Sequence, residues 1–129
     1  MKKKSNEVNE EPAKYFDLED RTLKYAKDTL GFLKKVNRGI ENQEFIKQLA
    51  RSSSSVGANY IEANNYLSKK DFALRIGICK KEAKESGYWL KLIDIDNKNE
   101  VVVKMHQSLL KETNELVLIF AAILRKVKQ

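Results

Sequence analysis

Apolar residues recur at three- and four-residue intervals in four separate stretches of this chain, the spacing of helices that each bury one face. From about Asp17 to Asn37 the line Leu23, Ala26, Leu30 and Leu33 keeps that spacing, and Tyr25, Thr29, Phe32 and Val36 widen it. This predicts a first helix with a broad apolar stripe. Arg38-Gly39 reads as its stop, because glycine can take the left-handed conformation that ends a helix. From about Asn42 to Leu67 a heptad runs through Ile46, Leu49, Ser53, Val56, Tyr60, Ala63 and Leu67, predicting a second helix with an unbroken seam.

Ser68 stands three positions before Asp71, a spacing that loosely echoes a capping box and opens a third helix. Its seam is Phe72, Ile76, Cys79, Ala83, Ser86, Leu90 and Ile93, and the polar cluster from Asp94 to Asn99 closes it. A fourth helix, about Glu100 to Val127, repeats through Val102, His106, Leu109, Thr113, Leu116, Phe120, Ile123 and Val127. A second column at Val103, Leu110, Val117 and Leu124 lies beside it. Short connections make sequential helices neighbours, so the expected fold is all-α, an antiparallel up-down-up-down four-helix bundle with crossing angles of about +20°. A single bundle needs one buried face per helix. The surplus apolar surface on helices 1 and 4 therefore predicts burial against further subunits, a homo-oligomer.

A chain of 129 residues suits one domain. Residues 1–15 have few apolar positions and no period, and are expected to form a flexible arm, with residues 16–129 as the bundle. The one proline is Pro12, so little after it opposes helix. One cysteine, Cys79, leaves no internal disulfide framework, and no apolar segment behind a basic start resembles a signal peptide. A cytoplasmic protein is expected. The longest apolar run, Leu116 to Leu124, is nine residues between Glu115 and Arg125, too short to span a bilayer.

Twenty-five basic side chains against 18 acidic ones leave a net charge of +7. The first fourteen residues hold four lysines and three glutamates, so almost all of the excess belongs to the expected bundle. Lys80, Lys81, Lys84 and Lys91 fall on the outward side of helix 3, and Arg125, Lys126 and Lys128 crowd the carboxyl end. Such cations read either as a solvated face or as a phosphate-binding patch, strengthened when copies in an oligomer add their fields. Only Tyr88 interleaves with them, which gives little basis for stacking of unpaired bases.

Arg51, Ser55, Asn59 and Glu62 are spaced four, four and three along one flank of helix 2. In antiparallel register residue n of helix 2 faces a position near 139 − n of helix 3, bringing Arg51 close to Glu85 and Tyr88. The same reasoning across the first hairpin brings Arg21 near Glu62. These side chains read first as a polar network that fixes register, with a ligand or RNA phosphate site as the alternative.

Enzyme chemistry finds little to stand on. A di-iron bundle needs Glu-x-x-His on two helices, whereas His106 is the single histidine and Val103 precedes it at the required spacing. Ser52 to Ser55 lack a nucleophile-elbow turn and a histidine partner, and suit close helix approach better. Cys79 sits in an apolar seam without an activating cation. No Walker loop, dinucleotide fingerprint or zinc spacing occurs. No catalytic residue, cofactor, metal or small-molecule substrate is indicated.

Arg21-Thr22, Gln48-Leu49 leading into Arg51, the step Ser55-Val56-x-x-Asn59, Glu62-Ala63 and Glu85-x-x-Tyr88-Trp89-Leu90 together resemble a bacterial family of four-helix bundles. It is named for proteins encoded by intervening sequences in 23S ribosomal RNA genes, and its relatives include the accessory variability determinant of diversity-generating retroelements. The resemblance is clear from about Asp17 to Ile93 and rests on pattern alone in the fourth helix. Ala63 stands where many relatives carry glycine. The resemblance implies a homo-oligomeric ring, a pentamer being favoured; in the retroelement relatives a basic ring engages RNA and a reverse transcriptase. The expected function is a non-enzymatic oligomeric scaffold that binds RNA or an RNA-protein complex through basic surfaces. The alternative is a protein-protein adaptor with no nucleic-acid role.

Overall fold

A computed structural model describes residues 18–128, and the expected arm, residues 1–15, lies outside them. The described residues form four α-helices and no strand: α1 Leu18–Leu33, α2 Ile40–Asn64, α3 Lys69–Leu92 and α4 Glu100–Val127. Glu19 and Asp20 occupy the first turn of α1 and Arg125 and Lys126 the last turn of α4, each charge complementing the helix end it lies on. Ser68 Oγ accepts from the Asp71 N–H at 3.0 Å while Asp71 Oδ2 accepts from the Leu67 N–H at 3.2 Å, so aspartate completes a reciprocal cap at α3. Asn99 caps α4 through the Val102 N–H.

Two helix ends differ from expectation. α1 stops at Leu33, and Gly39 is extended, with φ −62° and ψ 168°, as the residue before α2. Its carbonyl accepts from the Asn42 and Gln43 N–H groups, so it starts the second helix and does not end the first. α2 stops at Asn64 because the Asn65 and Tyr66 N–H groups turn back to Glu62 and Ala63. Leu67, counted in the heptad, is consequently 95% exposed.

The seams of α3 and α4 are buried largely as the heptads indicate: Ile76, Cys79, Ala83, Ser86 and Leu90 on one, Val102, Leu109, Thr113, Leu116 and Phe120 on the other. The first helix is turned by one position. Its buried face is Leu18, Thr22, Tyr25, Thr29, Phe32 and Leu33, so of the expected line Leu33 is inside whereas Leu23 and Leu30 are 53% and 48% exposed. The cause is internal satisfaction of the polar groups. Thr22 Oγ1 donates to the Leu18 carbonyl and Thr29 Oγ1 to the Tyr25 carbonyl, both at 2.8 Å, which leaves their methyl faces free to pack.

Contacts between neighbouring helices descend on one as they rise on the other. Glu19 reaches Asn64 and Thr22 abuts Gly57; Asn42 meets Asp94, Ser52 meets Ser86 and Asn59 meets Arg75; Leu90 meets His106. α2 packs most extensively on α3, and the α1–α4 seam is the thinnest.

Candidate functional site

A buried polar layer draws one side chain from each helix. Tyr25 on α1 bonds Thr113 on α4 at 2.5 Å, and Ser52 on α2 bonds Ser86 on α3 at 2.8 Å. Burial raises the Tyr25 phenol above its ordinary value, and hydrogen bonding with Thr113 and Ser86 counters part of this. These hydroxyls have partners inside the protein, so the layer is a register device.

Outside this layer the sequence-named stripe divides. Arg51 spans Glu82 at 3.2 Å and Glu85 at 3.0 Å, the second as the register requires. Glu82, unanticipated, is 7% exposed. Asn59 holds Ser55 through its amide N–H at 3.0 Å and accepts from Arg75 at 3.2 Å. Glu62 does not meet Arg21. It is exposed and takes part in no ion pair among the described residues. Arg21 instead clamps Glu112 through Nε and Nη2 at 2.7 and 2.8 Å, and reaches Glu115 at 2.7 Å. The Glu112 hydrogen bond, opposed by burial and helped by Glu115, holds its guanidinium pKa well above the ordinary value. Glu19 meets Asn64 at the height expected, but Arg21 stands on another flank of α1. Thr22 lies so close to α2 that a Cβ on Gly57 would come 2.9 Å from its hydroxyl, and Arg21, one position earlier, turns toward α4.

The remaining candidates for chemistry are buried or bonded within the protein. His106 Nε2–H donates to the Leu90 carbonyl at 2.7 Å and its ring lies 5.8 Å from Phe32. Cys79 is fully buried, and desolvation pushes its thiol up to about 12, which leaves no thiolate for nucleophilic work. Ser52 and Ser53 are buried and Ser54 is bonded to the α2 backbone. Among the described residues no three His, Cys, Asp or Glu side chains form a possible metal site, and no helix is long and apolar enough to cross a membrane.

What the structure does bring together is the basic surface of α3. Lys84 and Lys91, with Gly87 and Tyr88, border a cleft of about 480 Å³ against Leu110 and Val117 of α4. Lys80, Lys81 and Lys84 border a second, of about 450 Å³, with Gly77 and Leu124. Arg125, Lys126 and Lys128 are exposed and follow Leu124 directly, which places them at the same end as the second cleft. None of these seven cations belongs to an ion pair among the described residues. Leu110, Val117 and Leu124 of the second apolar column of the fourth helix, read from sequence as oligomer surface, are half-buried and line these clefts beside the lysines of α3.

The family model described as 23S rRNA-intervening sequence protein matches residues 16–121. A crystal structure of a protein with unknown function from the S23 ribosomal protein family of Bacteroides thetaiotaomicron is similar to the chain, with a TM-score of 0.67 and 27% identity, over 84% of this chain and 95% of that one. No curated protein matches.

Proposed function

The chain belongs to the 23S rRNA-intervening sequence protein family, and from that premise we propose that it is a non-enzymatic, cytoplasmic, homo-oligomeric scaffold that binds RNA or an RNA-protein complex. Its unit is an antiparallel up-down-up-down bundle, a reading supported by the descending contact pairs. The subunits close into a ring, five being favoured. Support for assembly comes from apolar side chains that the bundle leaves outside: Leu23 and Leu30 on α1, Ile61 on α2, and Leu118, 68% exposed, on α4.

The observation that carries the RNA reading is the alignment of Lys80, Lys81, Lys84 and Lys91 along one border of α3, clear of any carboxylate pair among the described residues. Unpaired cations on a rigid element attract phosphate, and repetition around a ring adds their fields. Binding of single-stranded RNA at several salt concentrations tests this. With about four phosphates neutralised per site the log-log slope is near −3, and sequence preference is weak because no side chain is placed for base readout. Replacing Lys80, Lys81 and Lys84 by glutamine lowers affinity and slope in a folded protein. An unchanged slope removes this face, and absence of binding at low ionic strength favours the adaptor. Light scattering that gives only the 14.9 kDa chain at micromolar concentration refutes the oligomer.

A further inference from the structure

We propose that the groove between α3 and α4 docks an acidic amphipathic helix of a partner protein. The inference rests on reading the basic face of α3 as a binding surface, and it names the partner of that surface.

The floor of the groove is the heptad column Leu110, Val117 and Leu124, half-buried and packed on the core. At a rise of about 1.5 Å per residue these three positions span about 21 Å, the length of a four-turn helix. Lys80, Lys84 and Lys91 run beside this column on one side of α3. Glu85 is the one carboxylate that lines either cleft, and it is already held by Arg51 at 3.0 Å. Charge complementarity therefore calls for apolar anchors at heptad spacing with acidic flanks, the pattern of a helix laid in a groove.

Gly77 supplies an independent sign of an outside occupant. A Cβ on Gly57 would come 2.9 Å from Thr22, and one on Gly87 would come 3.3 Å from Thr113, so packing within the chain explains both glycines. A Cβ on Gly77 would meet nothing within 4 Å. Glycine in a helix interior is unfavourable unless close approach requires it, and at Gly77 none of the described residues makes that approach.

RNA fits the floor less well. Phosphates stay solvated and gain nothing from leucine and valine, and Tyr88, the aromatic at the rim, is packed edge-on against Trp89. A second copy presenting α1 fits the rim less well, because Lys27 and Lys34 stand beside its exposed Leu23 and Leu30 and would set lysine against lysine over most of its length, with only Glu19 and Asp20 at one end of that face to match.

The test uses the full chain and fluorescence anisotropy with three probes. One is a peptide of about 21 residues with leucine at heptad a and d and glutamate at e and g; another is a scramble of the same composition; the third is a poly(U) oligonucleotide. The heptad peptide is expected to bind at least about tenfold tighter than the scramble, and Gly77→Phe, which fills open space, to weaken it at least about tenfold with the helical signal retained. The double variant Lys84→Gln, Lys91→Gln should weaken it and reduce its salt dependence. Equal affinity of the two peptides, or unaltered binding by folded Gly77→Phe protein, overturns the proposal. Poly(U) binding with the expected salt slope, in the absence of peptide binding, overturns it while the scaffold reading stands. If no probe binds at low ionic strength, both fall.

Discussion

Replacing Tyr25 by phenylalanine removes one oxygen from the centre of the bundle, and the surrounding bonds say what that should cost. Thr113 Oγ1 donates its proton to the Leu109 carbonyl at 2.7 Å, so in the 2.5 Å contact the Tyr25 O–H is the donor. Tyr25→Phe then forfeits one neutral hydrogen bond and leaves a buried hydroxyl oxygen with an unused acceptor site. The expected loss is about 1–2 kcal/mol. Thr113→Val removes that acceptor and leaves the buried phenol with Ser86 alone, for about 1–2 kcal/mol. With both replaced, neither partly unmatched group remains. The double variant should lose less than the sum by about 1 kcal/mol or more, because most of each single penalty is the desolvated partner left behind. Urea unfolding followed by circular dichroism, at one protein concentration so that assembly is held constant, measures all four corners of the cycle. Additivity within about 0.5 kcal/mol would show that the two hydroxyls do not act as a pair and would refute the polar-layer account.

Glu112→Gln should destabilise by about 1–2 kcal/mol, because Arg21 and Glu112 keep only 19% and 28% of their side chains exposed, and it should couple to Arg21→Ala in a double-mutant cycle. Glu62→Gln should change stability by under about 0.5 kcal/mol and show no coupling. Asn42→Ala should cost about 2–3 kcal/mol in thermal or urea unfolding. The Asn42 amide, 3% exposed, gives its protons to the Asn37 and Asp94 carbonyls and accepts from the Asp94 N–H. Cys79 should resist thiol reagents until the protein unfolds. Its folded pKa lies above the unfolded one, so its contribution is intact below about pH 9 and is lost as pH rises toward about 12, by about 1.4 kcal/mol per unit. Tyr25, raised likewise, adds to the alkaline loss above its ordinary range, so Cys79→Ala should reduce the pH slope without abolishing it.

The sequence by itself determined the number and kind of elements, because four amphipathic periods separated by capping and turn residues leave the chain little choice but helices. It also determined the seams of α3 and α4, whose unbroken alternation of four and three residues marks the columns that are buried. In the same way it placed Arg51 opposite Glu85, since antiparallel neighbours with short connections fix which turns lie level. The lysines of α3 were legible as outward charge. Only the tertiary structure decided which face of α1 is inside. Its apolar band is so broad that the Leu23 line and the Tyr25 line, about 100° apart on the helix, are equally good by period, and threonines that bond their own backbone settle the choice toward the second. The partner of Arg21 was beyond reach for the same reason. A hairpin register gives the height at which residues meet, whereas the flank on which a side chain stands depends on helix rotation, and that is set by packing against both α2 and α4. The groove followed too: a half-buried heptad column becomes a floor beside lysines only when α3 and α4 lie side by side.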